Sequence, residues 1–139
     1  PYNPFNLRGG RNGEAIVAVA GPVSNLVLAT AAAIPYRFIA FSGMNVPAVA
    51  MTILEFFISI NVSLMVFNLI PLPPLDGSKV LYALVDQQTA FRLRATLEQY
   101  GPMILLALIF LPRFLGFPSP LSVVFQVVAD PIIRFLTGT

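Results

Sequence analysis

Residues 15–34 read AIVAVAGPVSNLVLATAAAI, twenty positions without a single charged side chain. A helix needs about 20 apolar residues to cross a hydrocarbon core about 30 Å thick. The run is therefore the first candidate span. The run extends to Phe41 if Pro35 acts as a kink. SGMNVP reads as the turn that follows, and residues 48–70 form a second run whose one charge is Glu55. A third covers residues 102–117. A shorter apolar stretch, residues 121–136, is interrupted by Asp130-Pro131, so it spans, breaks in two or lies at the interface. The expected architecture is all-α: a polytopic transmembrane helical bundle of about three spans plus a shorter C-terminal apolar or interfacial helix. It forms a single membrane-embedded domain over residues 1–139.

Composition agrees with lipid as solvent and partner. The 139 residues are 57% hydrophobic and 10% charged, against roughly 25% charged in a typical soluble domain. Eight basic and six acidic residues, net +2, are scattered and form no basic block that could track phosphates, which argues against nucleic acid as a partner. With no cysteine the chain has no disulfide and no thiolate metal site, and with no histidine it lacks the commonest general base and zinc ligand. The opening PYNPFNLRGGRNGEA is rich in Pro, Asn and Gly, has no apolar core of a signal peptide and no initiator methionine. The expectation is that the numbering starts inside a longer protein.

Between the second and third runs, DQQTAFRLRATLEQYG is polar and helix-prone, and reads as a surface helix at the headgroups. Two spans place it on the same side as the N-terminal loop. That side carries Arg8, Arg11, Lys79, Arg92 and Arg94, while the loop between the first two spans carries Arg37. The excess of positive charge puts the N-terminal end and Asp76 toward the cytosolic side of a multi-pass protein of the cell membrane.

Polar groups at membrane depth are costly and point into a bundle or a water-filled cavity. In AGPVSN, Gly21-Pro22 is either a kink with a small contact surface, with Asn25 as an interhelical hydrogen bond, or a close approach beside a site that Asn25 lines. Glu55 reads as reaching the far interface near Arg37. In FNLIPLPPLDGSKVL, Pro71, Pro73 and Pro74 remove backbone donors after Asn68 and force an extended path. Unwound backbone at that depth is tolerated where it is buried in protein or lines a cavity. Asp76-Gly77 is then either a simple cap on the next helix or a functional carboxylate.

FNLIPLPPLDGSKVL resembles the N-x-x-P-x-P-x-L-D-G signature of the site-2 protease family, the intramembrane zinc metalloproteases. AGPVSNL is similar to that family's G-P-x-x-N motif, and NPFNLRGGRNGEAIVAVAGP resembles the loop leading into it in small bacterial and archaeal members. The resemblance implies a membrane enzyme that hydrolyses a peptide bond in a transmembrane protein substrate with zinc-activated water. It makes Asp76 one zinc ligand and Asn68 the group that helps bind the substrate carbonyl or oxyanion. Gly21, Pro22, Asn25, Pro71, Pro73 and Gly77 shape the surroundings.

The two histidines and the glutamate of the family's H-E-x-x-H helix have no counterpart in these residues. Glu14 and Glu55 stand in no such context. The resemblance implies that Zn2+ takes its other ligands upstream of Pro1, in an N-terminal half of the same protein, and that this C-terminal part is inactive alone. A lineage that has lost catalysis is the other way to account for the departure. From another class, a transporter or channel element with an ion site at the broken helix, or a non-catalytic membrane scaffold, is consistent with the same composition.

Overall fold

The computed structural model describes residues 11–139, and the N-terminal loop with Arg8 lies outside them. Helix α1 is Arg11–Ser42, α2 Ala48–Asn68, α3 Gly77–Leu84 and α4 Gln87–Leu115. A last helical segment combines α5 (Pro120–Val124), a π-helical turn (Phe125–Ala129) and α6 (Asp130–Thr137). Among the described residues, four helices are long and apolar enough to cross a membrane: Asn12–Ser42, Ala48–Asn68, Gln87–Leu115 and Pro120–Thr137.

The core lies where α1, α2 and the C-terminal segment meet. Ala29, Ala32 and Ala33 of α1 pack against Ile58, Val62, Met65 and Val66 of α2, with Ala129 and Leu136 closing the cluster. Lipid tails are as apolar as these side chains, so helices in a membrane associate through close packing, and small residues permit it. The alanines thus decide where α2 can approach. Asn61, also buried, donates to the carbonyl of Phe57 one turn back and so satisfies itself within α2.

Two sequence expectations are revised. The polar stretch after Asp86 is not a separate surface helix, because it runs straight into the third apolar run as the 29-residue α4, through Pro102 and Pro112. Pro102 leaves the carbonyl of Glu98 without its helical donor, and Glu98 is exposed, where solvent can replace that bond. Asp130-Pro131 does not break the last segment either. The π-helical turn comes immediately before it, and the extra residue in that turn makes room for the proline ring. Glu55 is exposed and forms no ion pair with Arg37. Arg37 instead donates from Nε to the carbonyl of Leu136 at 2.8 Å and from Nη2 to that of Phe135, holding the end of α6 against α1.

Candidate metal-ligand site at the end of α2

After Asn68 the chain turns through residues 69–76 before α3 begins. Leu72 N donates to the carbonyl of Ile70 at 2.8 Å and Leu75 N to that of Leu72 at 2.9 Å, so the proline-rich stretch is a compact turn. The Pro73-Pro74 peptide is cis. Two glycines let this turn close. A Cβ on Gly77 would sit 2.2 Å from the carbonyl oxygen of Leu69 and 2.4 Å from that of Ile70. A Cβ on Gly101 of α4 would sit 2.8 Å from the carbonyl oxygen of Pro73. Gly77 therefore folds the start of α3 back onto the residues just after Asn68, and Gly101 receives the buried Pro73.

Asp76 precedes α3 but does not cap it. Its backbone is already helical (φ −66°, ψ −27°) and its side chain makes no capping hydrogen bond, whereas a capping residue has non-helical backbone and accepts from an N–H one turn on. The carboxylate is half-buried, 4.0 Å from the Lys79 Nζ. A Cβ added to Gly21 would lie 3.5 Å from Asp76 Oδ2, so the carboxylate faces α1 where that helix has no side chain. Gly21 is ten residues into α1, or about 15 Å from its first residue at roughly 1.5 Å per residue. Asp76 lies well along the bundle, not at its rim.

The other expected residues fall around this point. Pro22 is buried in α1, and the chain stays helical through Gly21-Pro22. Asn25, one turn further on, is half-buried, as is Asn68, the last residue of α2. Pro71 is exposed at the outer side of the turn.

Two charged residues that no sequence motif singles out also lie here. Glu14, on α1, is only 4% exposed. It accepts from Arg94 Nη1 at 3.2 Å and Nη2 at 2.7 Å. The Arg94 guanidinium also lies 4.8 Å from the ring centre of Tyr82, on α3. Burial, followed by the charge of Glu98, pushes the Tyr82 hydroxyl above its ordinary value, so it stays protonated near neutral pH. Arg94 belongs to the stretch that reads as facing water, and eighty residues separate it from Glu14. The available signal was weak: Glu14 stands seven residues before Gly21, two turns along the same face of α1.

A sequence profile described as Peptidase family M50 matches residues 38–112, just over half of the chain. The chain belongs to this family, that of the site-2 proteases. The matched residues include Asn68, Asp76, Gly77 and Arg94, while Gly21, Pro22 and Asn25 lie before them. A Bacillus subtilis (strain 168) protein named "Putative zinc metalloprotease YwhC" is 35% identical over 116 residues, covering 81% of this chain and 52% of the relative. The M50 chain thus spans about half the length of that curated relative. No solved structure matches it. Family membership together with four apolar helices makes this a multi-pass membrane protein of site-2 protease type.

Proposed function

We propose that this chain supplies the aspartate ligand and the substrate-facing turn of a zinc metalloendopeptidase that cleaves transmembrane proteins within the bilayer. The observation that carries the reading is the state of Asp76. Its carboxylate is free of any capping role and faces Gly21, which brings the L-D-G turn and the G-P-x-x-N segment together at one point.

The donor chemistry fits in part. A carboxylate is a normal zinc ligand, and catalytic zinc keeps three protein ligands and an open position. Among the described residues no group of three or more His, Cys, Asp or Glu could hold a metal. Asp76 would therefore be one ligand, with the others drawn from outside these residues. When bound, zinc would lower the pKa of a water toward 7 and polarise the scissile carbonyl.

The chain's own residues do the rest. The turn at 69–76 brings Asn68 and Asp76 onto one folded unit, and the Asn68 amide is the donor that would stabilise negative charge on the substrate carbonyl oxygen. Gly21, Pro22 and Asn25 form the α1 wall, and Gly77 with Pro73 keeps the turn closed. The apolar surfaces of the four long helices meet lipid and a substrate's transmembrane segment. The excess of basic residues near the start of the chain and around α3 and α4 supports a cytosolic position for this end. An ion site of a transporter would use the same carboxylate, but membership in a peptidase family favours hydrolysis.

Asp76→Ala in the full-length protein tests the reading. Zinc retention and cleavage of a membrane substrate are expected to disappear while the protein stays folded in the membrane. Wild-type zinc content and cleavage in that variant would overturn the assignment.

A further inference from the structure

Glu14 is the one charged side chain among the described residues that is buried. A buried carboxylate is costly unless it is paired and hydrogen-bonded, and both Arg94 terminal nitrogens satisfy it, at 2.7 and 3.2 Å. The same guanidinium lies against the face of Tyr82, which is 1% exposed. Arg94, from α4, therefore bridges α1 and α3.

That bridge matters because of what α3 is. With eight residues it is too short to hold a helical shape or a position unaided. Its first residue follows Asp76, and Tyr82 comes six residues after Asp76, about 9 Å along the axis at roughly 1.5 Å per residue. At one end Asp76 faces Gly21, and at the other Tyr82 lies under Arg94, which is locked to Glu14. Glu14 and Gly21 are seven residues apart on one face of α1. Both ends of α3 are thus referred to the same face of the same helix.

We propose that Glu14 and Arg94 are a positioning pair for Asp76: they fix the depth and rotation of α3 along α1, and so the direction in which the carboxylate points. This rests on the reading of Asp76 as a zinc ligand. The pair is too far along α3 to touch reacting atoms and acts through Tyr82. Ligands of a metal depend on the groups that orient them, and losing such a group weakens binding roughly 10- to 100-fold. Acting at one remove, this pair belongs at the lower end. Arginine is required because a lysine offers neither the two-pronged contact to Glu14 nor a flat group to lie on the ring.

The test uses the full-length protein in detergent or bilayer, with Arg94→Met, Arg94→Lys, Glu14→Gln and Asp76→Ala. Zinc affinity is read by competition with a chelator, and hydrogen exchange is followed at residues 77–84 of the metal-free protein. Arg94→Met is expected to weaken zinc binding roughly tenfold and speed exchange across α3, with Arg94→Lys between it and wild type. Glu14→Gln, which keeps the side-chain shape, reports the same effects in smaller measure if Arg94→Met fails to fold. Wild-type affinity in Arg94→Met and Glu14→Gln, alongside lost affinity in Asp76→Ala, would overturn the positioning role alone. Retained zinc in Asp76→Ala would overturn the metal reading on which it rests. In that case unchanged exchange at 77–84 in the pair's variants would overturn the placement of α3 by Glu14 and Arg94 as well.

Discussion

Two of the places where α1 meets the rest of the bundle are built on different physics. Toward its C-terminal half, Ala29, Ala32 and Ala33 face Ile58, Val62, Met65 and Val66, and the contact is apolar on both sides. Toward its N-terminal half, Gly21 faces a carboxylate, Glu14 faces a guanidinium, and nearby turns press backbone on backbone at Gly77 and Gly101. Apolar side chains lose little on moving from a packed interface to lipid, so the first contact rests on shape and is graded. A buried charge or a backbone oxygen has no such refuge, and the second contact depends on a few groups that cannot be traded. The end with the candidate ligand is specified by particular residues, whereas at the other the α1–α2 contact is set by approximate volume and only Arg37, pinned to the end of α6, is specific.

The largest effect should come from the tightest backbone contact. In Gly77→Ala the added methyl would meet the carbonyl oxygens of Leu69 and Ile70 at 2.2 and 2.4 Å, and backbone must move to admit it. Overpacking of this kind costs about 1 to 3 kcal/mol, and the upper end is expected here because the colliding atoms are not a flexible side chain. Denaturant titration in detergent, with exchange at 77–84, would measure it. Gly21→Ala is the paired control, since its methyl would meet Asp76 Oδ2 at 3.5 Å, an ordinary contact, and the fold should persist. Equal stability of the two variants would break the contrast.

The apolar contact should respond more gently. Ile58 is fully buried between α1 and α2, and Ile→Val in a water-soluble core costs about 0.5 to 1.5 kcal/mol. Part of that cost is transfer from water, which falls away when the separated helices still face lipid. Ile58→Val is therefore expected to cost less than about 1 kcal/mol in the same titration. A larger loss than in Gly77→Ala would invert the comparison.

The same division explains what could be read from the sequence. The spans came from uncharged run length, and α2 ends at Asn68, two residues before the expected boundary at Ile70, as the prolines at 71, 73 and 74 approach. The meeting of Gly21 with Asp76 was legible through motif resemblance, since no periodicity links residues so far apart. Whether Asp76 caps α3 was undecidable from an Asp-Gly pair, because it turns on backbone angles at one residue. Within α4, Pro102 and a change in polarity at Gly101 look like a boundary in the sequence, while the exposure of Glu98 makes the proline tolerable. Glu14 and Arg94 were hidden for a different reason. Glu14 follows Arg11-Asn12-Gly13 and Arg94 lies in a stretch that also carries Arg92 and Glu98, contexts that suggest water, and only tertiary contact reveals a charge paired inside.

The polar end also has an outer layer, and it should give the smallest effect. Asp86 has extended backbone (φ −64°, ψ 161°) ahead of α4, and its carboxylate accepts from Thr89 N at 3.3 Å. It is a true N-cap, unlike Asp76. The bonds from Thr89, side chain first and then backbone N–H, hold its pKa below the ordinary aspartate value although it is fully exposed. A carboxylate whose folded pKa lies below its unfolded one stabilises the fold above the unfolded value, near pH 4, and loses that contribution as pH falls through the folded value. Asp86→Asn keeps a capping oxygen but does not titrate. Wild type should therefore lose stability relative to Asp86→Asn as pH drops from about 5 toward 3, with the two nearly equal at neutral pH. Thermal unfolding of both proteins across that range measures the difference. Because water surrounds this carboxylate, its effect should be weaker than that of any contact at Gly77 or Glu14, and a dominant Asp86 would mean that the polar end is held from its surface instead of from within.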